Sequence, residues 1–280
     1  MKKILCLLLI VGSFSTSLKA STNWLTSFDD AKKMSQALNK PILVDFWAFW
    51  CGPCKEMDQN VWSKEDIKSL MDNFVPVKID IDANVGLART YNVRAIPHIL
   101  ILDGWGNILY TSVGYKDKKE ITALLESFSV NMAAVHQGLA ILEKDKENAY
   151  SNVRVAQKFQ DGAFILKGES KKAFLRSSNS YFKEGLKFVP KDKPALKEKV
   201  ELFMALNKAY GGSCKSVLKG LHKALPKIDA SNKSLYYYIE FYCYHTQKDE
   251  TKATESYSKL AELNSNTYLK KANYLIKKSE

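Results

Sequence analysis

An apolar run that leads directly into two cysteines, PILVDFWAFWCGPCK at residues 41–55, constrains the fold of this 280-residue chain most strongly. A continuous apolar run of this length, headed by proline, is typical of a strand buried on both faces. Gly52 and Pro53 support a tight turn between the cysteines, and proline suits a helix start because it has no amide hydrogen to leave unpaired. The sequence therefore predicts a buried strand that delivers Cys51 to the first turn of a helix.

Helix and strand patterns alternate on both sides of this run, from residue 24 to residue 128. The predicted helices cover 27–39 with Ser27 as N-cap, 55–62, 63–74 with Ser63 as N-cap, 83–93 and 117–128. The predicted strands follow 75–82 and a hairpin that turns at Asp103 and Gly104. Together these elements make a mixed α/β domain of about 105 residues.

The chain changes character at about Val130, where strand patterns give way to helical spacing. Residues 21–129 contain 12 Lys and Arg against 14 Asp and Glu, whereas residues 130–280 contain 27 against 16. This change predicts two domains with these bounds, the second of them all-α. Its basic surface fits anionic lipid or acidic proteins, and a solvated helical face is the plainer interpretation.

Three segments of the second domain have ends at regular spacing: Pro190, Pro226 and Ser265 lie 36 and 39 residues apart. That spacing is close to the period of stacked helix-turn-helix repeats, about 34 residues. The region therefore resembles a degenerate set of tetratricopeptide repeats, and an unrelated helical bundle is the alternative.

The first 20 residues resemble a secretory signal peptide. Lys2 and Lys3 precede the apolar run ILCLLLIVG, and small polar residues lead to Ala20. A retained membrane anchor is the alternative, but this run has nine residues, where a spanning helix needs about 20. We therefore expect cleavage after Ala20, export across the inner membrane, and a periplasmic protein that keeps four of its five cysteines.

The spacing of Cys51 and Cys54 fits three kinds of site. A structural zinc site needs four ligands, but the other two cysteines of the exported chain lie 160 or more residues further on. A structural disulfide over so short a loop would constrain little. At a helix start, free amides and the helix dipole stabilise a thiolate, and a thiol one turn on can attack the mixed disulfide. The pattern favours dithiol–disulfide exchange, with no metal and no cofactor.

This site resembles the active site of the thioredoxin family. VDFWAFWCGPCK at residues 44–55 is nearly the full signature, and RAIPHILILD followed by GN and VGY matches the second half of that fold. The resemblance covers residues 25–128 and implies a thioredoxin fold, in which helices flank a mixed central sheet. It also implies that Cys51 is the exposed nucleophile, that Cys54 is the buried resolving thiol, and that the two form a redox disulfide.

The same resemblance implies a carboxylate behind the cysteines. Asp45 would be buried there with Lys78 as its partner, and it would accept the proton that Cys54 releases, through water. Burial beneath an apolar site would raise its pKa. A solvated aspartate at a strand edge is the alternative interpretation.

Four residues are implied to contact the substrate. Trp50 would be the surface aromatic residue beside the cysteines, and Pro97 a cis proline opposite them. The backbone around Ile96 and Pro97 would bind the substrate chain as a short added strand. Gly114 would let the substrate approach closely, although an ordinary bulge glycine and an ordinary trans proline are the alternatives.

Three positions depart from the common pattern of thioredoxins. Phe49 stands where a small or charged residue is common, and Gln59 where a proline usually kinks the helix. The sequence around Gln59 instead resembles an exported branch that includes the carboxy-terminal domain of bacterial thiol-disulfide interchange proteins. His98 follows Pro97 where threonine is usual, and we expect a surface histidine, with a cation that tunes the thiolate as the alternative.

Cys214 and Cys243 lie 29 residues apart in neighbouring helical segments. They would either form a second disulfide or remain buried free thiols that pack as small apolar residues. The sequence alone leaves both alternatives open.

These features predict an exported thiol-disulfide oxidoreductase that exchanges disulfides with client proteins, more as a reductase or isomerase than as an oxidase. Its partners would be proteins with disulfides or cysteines, and a membrane-bound or soluble thiol protein that supplies electrons. Nucleic acid is not an expected partner. The alternative is an adaptor whose helical region binds clients while the α/β domain is a scaffold, which leaves the two retained cysteines without a purpose.

Overall fold

The computed structural model describes residues 24–224 and 228–279. The predicted signal peptide at residues 1–20 and the predicted segment end at Pro226 lie outside these residues. Within them, the chain first forms a four-stranded sheet flanked by helices and is then helical. The predicted α/β fold followed by an all-α region is therefore confirmed. No helix of the described part is long and apolar enough to cross a membrane.

The sheet contains the strands β1 (Ile42–Trp47), β2 (Val75–Asp80), β3 (His98–Leu102) and β4 (Ile108–Val113). They lie in the order β2-β1-β3-β4, and β1 runs parallel to β2 and antiparallel to β3. The flanking helices are α1 (Phe28–Leu38), α2 (Gly52–Met57), α3 (Glu65–Met71), α4 (Val85–Thr90) and α5 (Lys118–Phe128).

Side chains along β1 alternate between the two faces of the sheet, and both faces are covered, which explains the continuous apolar run. Val44 and Phe46 belong to the core on the side of α1 and α4. Leu43 belongs to the larger core on the side of α2, α3 and α5. By the same alternation, Asp45 lies on the face of Leu43, beneath the helix that carries the cysteines.

The predicted N-cap at Ser63 is wrong. Lys64 is the N-cap of α3, and the Ser63 hydroxyl donates to the carbonyl of Gln59 at 2.7 Å. The reason is a turn of π-helix, Asp58–Trp62, which lies between α2 and α3 and ends at Ser63. This π-turn contains Gln59, the position at which the common pattern has a proline that kinks the helix. Ser27 caps α1 as predicted.

The second part of the chain contains the helices α6 (Ala133–Lys144), α7 (Ala149–Ile165), α8 (Gly168–Lys187), α9 (Pro194–Tyr210), α10 (Cys214–Ala224), α11 (Lys233–Thr246), α12 (Glu250–Glu262) and α13 (Asn266–Ser279). Helix α7 packs along α8, and α11 packs along α12. The two pairs differ in length, with 17 and 20 residues against 14 and 13. A tetratricopeptide-like repeat therefore stays a prediction.

The helical region packs directly on the β3–β4 hairpin. Leu109 is the extra residue of a bulge in β4, and Arg176 of α8 donates to its carbonyl at 2.8 Å. At the turn, the Gly104 amide donates to Nε2 of His136 at 3.1 Å. Burial lowers the pKa of His136 to about 4, so the ring stays neutral and this nitrogen stays an acceptor. One apolar core continues from the sheet into the helices, so the two parts form one packed unit.

The close packing of α7 on α8 generates a stability prediction. A Cβ atom at Gly162 would lie 2.7 Å from two ring carbons of the buried Phe174. We expect Gly162→Ala to lower the free energy of unfolding by about 1–3 kcal/mol, because the ring has to move. Gly220 is the matched control, since a Cβ atom there meets nothing within 4 Å. Gly220→Ala should raise the free energy of unfolding by about 0.5–1 kcal/mol.

Urea denaturation of both variants checks this prediction. Equal effects of the two substitutions would show that α7 and α8 do not pack at Gly162 as described.

Candidate functional site

Cys51 and Cys54 lie where the chain leaves β1 and enters α2. Cys51 is the N-cap of α2, and its sulfur accepts a hydrogen bond from the Cys54 amide at 3.2 Å. The two sulfurs form a disulfide of 2.01 Å, with Cα atoms 5.3 Å apart. Gly52 and Pro53 form the exposed first turn of the helix. A helix start of this kind stabilises negative charge on the Cys51 sulfur once the disulfide is reduced.

The structure differs from the expectation that Cys51 is exposed. Its side chain is 3% exposed in the disulfide state. The reason is local packing, because the disulfide lies in an apolar cluster with Ala48 and is covered by Ile81 and Ile96. Cys54 is buried, as expected.

Two aromatic side chains stand out from the surface beside the disulfide. Trp50 is 57% exposed and Phe49 is 66% exposed. The indole Nε1 of Trp50 donates to the carboxylate of Asp82 at 2.8 Å, which fixes the ring. Asp82 was not predicted as a site residue. The signal was available, because residues that follow two adjacent parallel strands meet at the same edge of the sheet.

Ile96, Pro97 and Gly114 lie together at the open end of the β3–β4 hairpin. The peptide bond between Ile96 and Pro97 is cis, as the resemblance implies. The Gly114 amide donates to the Pro97 carbonyl at 2.8 Å. Gly114 has a φ of +84°, and a Cβ atom there would meet nothing within 4 Å. The backbone conformation therefore requires glycine at this position, and the space above it is open.

Asp45 shares the ammonium of Lys78 with a second carboxylate. Asp45 and Lys78 are register partners on the parallel strands β1 and β2, and Lys78 Nζ lies 3.6 Å from Asp45 Oδ2. Lys78 also pairs with Asp58, which lies one turn beyond Cys54. The predicted pairing of Asp45 with Lys78 is thus present. Asp58, the second carboxylate that pairs with Lys78, was not predicted from the sequence. Its spacing of four residues from Cys54, which places both on one helix face, was the available signal.

Burial sets the protonation of Asp45. The residue is 1% exposed, and this burial raises its pKa to about 6. Lys78 opposes the rise, and Asp58 adds to it. A carboxyl group with this pKa can take and give a proton near neutral pH.

His98 is not a surface residue, contrary to the expectation from sequence. It is the first residue of β3, is buried, and its Nε2 lies 2.9 Å from the Thr111 hydroxyl. Burial lowers the pKa of His98, so its ring is neutral at neutral pH and supplies no positive charge to a thiolate. Within residues 24–224 and 228–279, no group of three or more His, Cys, Asp or Glu side chains is placed to hold a metal ion.

The similarities to known proteins concern the part of the chain that contains the Cys51–Cys54 disulfide. The family model of a thioredoxin-like domain matches residues 28–129. The chain is 41% identical to the thioredoxin of Bacillus subtilis over 91 residues, which cover 30% of this chain and 78% of that protein. It is 33% identical to the thiol:disulfide interchange protein DsbD of Cronobacter sakazakii over 92 residues, or 31% of this chain and 16% of that protein.

A third similarity is to the bifunctional thioredoxin reductase/thioredoxin of Mycobacterium leprae. The identity is 36% over 124 residues, which cover 39% of this chain and 26% of that protein. The chain thus spans about a quarter of this relative and a smaller share of the interchange protein. All three matches leave more than half of this chain uncovered.

The pKa of Asp45 predicts how stability changes with pH. The folded state holds this proton up to about pH 6, whereas an unfolded aspartate loses it near its ordinary value of 3.8. The folded state therefore binds more protons between these values, and stability is lost as the pH rises through this window. We expect the free energy of unfolding to fall by about 3 kcal/mol across this window because of Asp45. Asp45→Asn should remove that loss and be more stable than wild type at pH 8.

Unfolding free energies measured from pH 4 to pH 8 check this prediction. Asp58→Asn should shift the loss to lower pH, because Asp58 helps to raise the pKa of Asp45. Asp192→Asn, at an exposed position in a loop, is the control and should follow wild type. Identical profiles for wild type and Asp45→Asn would contradict the description of the buried carboxyl.

Proposed function

The chain belongs to the thioredoxin family, and we propose that it is an exported thiol-disulfide oxidoreductase that acts on client proteins more as a reductase or isomerase than as an oxidase. One observation carries the proposal: the Cys51–Cys54 disulfide lies at a helix start, on the sheet face that holds a buried carboxyl with a pKa of about 6. These groups are what a reversible dithiol exchange needs.

The exchange begins from the reduced site. The Cys51 thiolate attacks one sulfur of a client disulfide, which forms a mixed disulfide and releases one client thiolate. Asp45 takes the proton of Cys54 through an intervening water, and the Cys54 thiolate then attacks the Cys51 sulfur. The second client thiolate leaves, the Cys51–Cys54 disulfide is closed, and two electrons have passed to the client.

The surface around the disulfide receives the client. We call it the open rim, and it is formed by Phe49, Trp50, Ile96, Pro97 and Gly114. An extended client segment would pair with the backbone at Ile96 and Pro97, where the left-handed Gly114 leaves free space. Trp50 and the unusual Phe49 would contact apolar client side chains on either side of the cysteine.

The link between the cysteines supports the proposed direction of electron flow. Gly-Pro between them is typical of reductants, with potentials of about −270 mV against about −120 mV for strong oxidants. The signal-peptide pattern of residues 1–20 supports a periplasmic location. In that oxidising compartment the site needs an electron supply, for which a membrane-bound or soluble thiol protein is the partner.

Reduction of insulin with dithiothreitol as electron source tests the activity. We expect turnover by wild type, and a fall to the uncatalysed rate in Cys51→Ser, because no thiolate then attacks the insulin disulfide. Cys214→Ala is the matched control, since Cys214 lies in the helical region, and should keep turnover. Equal rates for wild type and Cys51→Ser would refute the activity.

Equilibration of the same site with glutathione tests the direction. A potential near about −270 mV supports a reductase or isomerase. A value near about −120 mV would instead identify an oxidase.

The helical region supplies a surface that fits an acidic client segment. A groove of about 580 Å³ runs between α8 and α9. Its lining includes Lys172, Arg176 and Lys183 together with Asn179 and Ser180. Among the residues that the structure describes, no acidic side chain is part of the lining, and Lys172 pairs with Glu169 one turn away on α8. The whole region carries the excess of Lys and Arg described above. Charge complementarity therefore favours an acidic stretch of the client as its occupant.

A trapping experiment tests this role of the helical region. Cys54→Ser should hold clients as mixed disulfides, because the resolving thiol is absent. Adding Lys172→Glu and Lys183→Glu should reduce the trapped acidic clients by about tenfold, since each reversal opposes the client charge. The control adds Lys270→Glu and Lys277→Glu, which change the net charge equally on α13 and should leave trapping unchanged.

Equal trapping by the groove variant, with Lys172→Glu and Lys183→Glu, and by the α13 control variant would refute the role of the groove. If Cys54→Ser traps nothing while the full chain still binds acidic proteins through the groove, the adaptor function is correct instead.

A further inference from the structure

The helical region contains a second pair of cysteines whose thiols are in contact. Cys214 is the first residue of α10, and Cys243 lies in the last turn of α11. Both are free and buried, and their side chains interact with each other. The Cys214 thiol also donates to the Ala209 carbonyl at 3.9 Å. Neither takes part in the site described above. Two helices that pack on each other thus present one thiol each to the same point in the core.

We propose that Cys214 and Cys243 are a second dithiol–disulfide couple, whose oxidised form joins α10 covalently to α11. The proposal stands independently of the activity proposed for Cys51 and Cys54. It concerns the state of the helical region, where a covalent bond across two helices constrains the 28 residues between them.

The two thiols have unequal environments, as an exchange pair requires. Cys214 is the first residue of α10, where free backbone amides and the helix dipole stabilise a thiolate, and the interaction with Cys243 lowers its pKa. Cys243 lies inside α11 and is fully buried, and its interaction with Cys214 together with this burial raises its pKa. Cys214 is therefore the thiol that reacts first, and Cys243 is the one that resolves.

Oxidation needs an electron acceptor, which we assign to a disulfide of a small molecule or of another protein. The Cys214 thiolate attacks one sulfur of this disulfide, and one thiolate leaves. Cys243 then gives its proton to the first departed thiolate and attacks the Cys214 sulfur, and the second thiolate leaves and takes up a proton from water, which replaces the one that Cys214 released. Two electrons pass from the cysteine pair to the acceptor, which is released as two thiols.

The bond would act on a cavity that α11 shares with its neighbours. Phe241 and His245, two residues before and two residues after Cys243 in the sequence, lie on the opposite face of α11 and line a cavity of about 700 Å³ between α11, α12 and α13. Tyr257 and Ile276 form the opposite walls. Because the disulfide would fix one end of α11 to α10, oxidation would hold the α11 wall of this cavity in place. The redox state of the helical region would thereby control how freely that wall moves.

Peptide mapping of the full chain tests the proposal. The Cys51→Ser/Cys54→Ser variant is incubated in its native state with oxidised glutathione, quenched with an alkylating reagent, and digested. We expect a cross-linked peptide that contains Cys214 and Cys243, and two alkylated thiols after dithiothreitol. Oxidation should also raise the melting temperature by roughly 5–10 °C, whereas Cys214→Ala and Cys243→Ala should show no such redox dependence.

Three outcomes would overturn the proposal. Both thiols could remain alkylatable after the oxidised glutathione, which identifies inert buried cysteines. Cys214 could carry glutathione without a cross-link, which shows that Cys243 does not resolve it. The cross-link could form only in denaturant, which shows that the folded helices do not present the pair. Loss of insulin reduction in Cys51→Ser is independent of all three.

Discussion

The site depends on one buried ion group, in which Lys78 lies between Asp45 and Asp58. Burial in the middle of the sheet would by itself favour the protonated form of Asp45. The parallel register of β1 and β2 places Lys78 opposite, so the sheet fixes how far the ammonium offsets that burial. Asp58, from the π-turn after α2, competes for the same ammonium. The balance leaves Asp45 with a pKa near neutrality, which suits proton transfer to and from Cys54.

The helical region supports the same site from the far end of the β3–β4 hairpin. Arg176 holds the bulge at Leu109, and His136 holds the turn at Gly104. The opposite end of the hairpin carries Pro97 and Gly114 beside the disulfide, and it is left open. The hairpin is thus fixed where it meets the helices and accessible where it would meet a client, which is the arrangement that strand addition requires.

Sequence predicted what local patterns and one resemblance determine: the strand through Asp45, the cysteine turn, the pairing with Lys78 and the helical second half. Prediction from sequence was wrong where contacts between residues far apart in the chain determine whether a side chain is buried. His98 is buried because β3 pairs with both β1 and β4, and Cys51 is covered because Ile81 and Ile96 reach it from other loops. The π-turn that displaces the cap at Ser63 has no sequence signature of its own. The contact between Cys214 and Cys243 depends on how two helices pack, which spacing along the chain does not specify.

Arg176 links the two surfaces proposed to meet a client. Its guanidinium is hydrogen-bonded to the β4 backbone, and the same side chain lines the basic groove between α8 and α9. A continuous apolar core underlies both surfaces. A client segment in the groove would therefore stand at a fixed distance from the open rim at Gly114, without the freedom that a flexible linker allows. Such a fixed geometry would raise the effective concentration only for clients whose acidic segment and cysteine are correctly spaced, so it would select the proposed clients by shape as well as by charge.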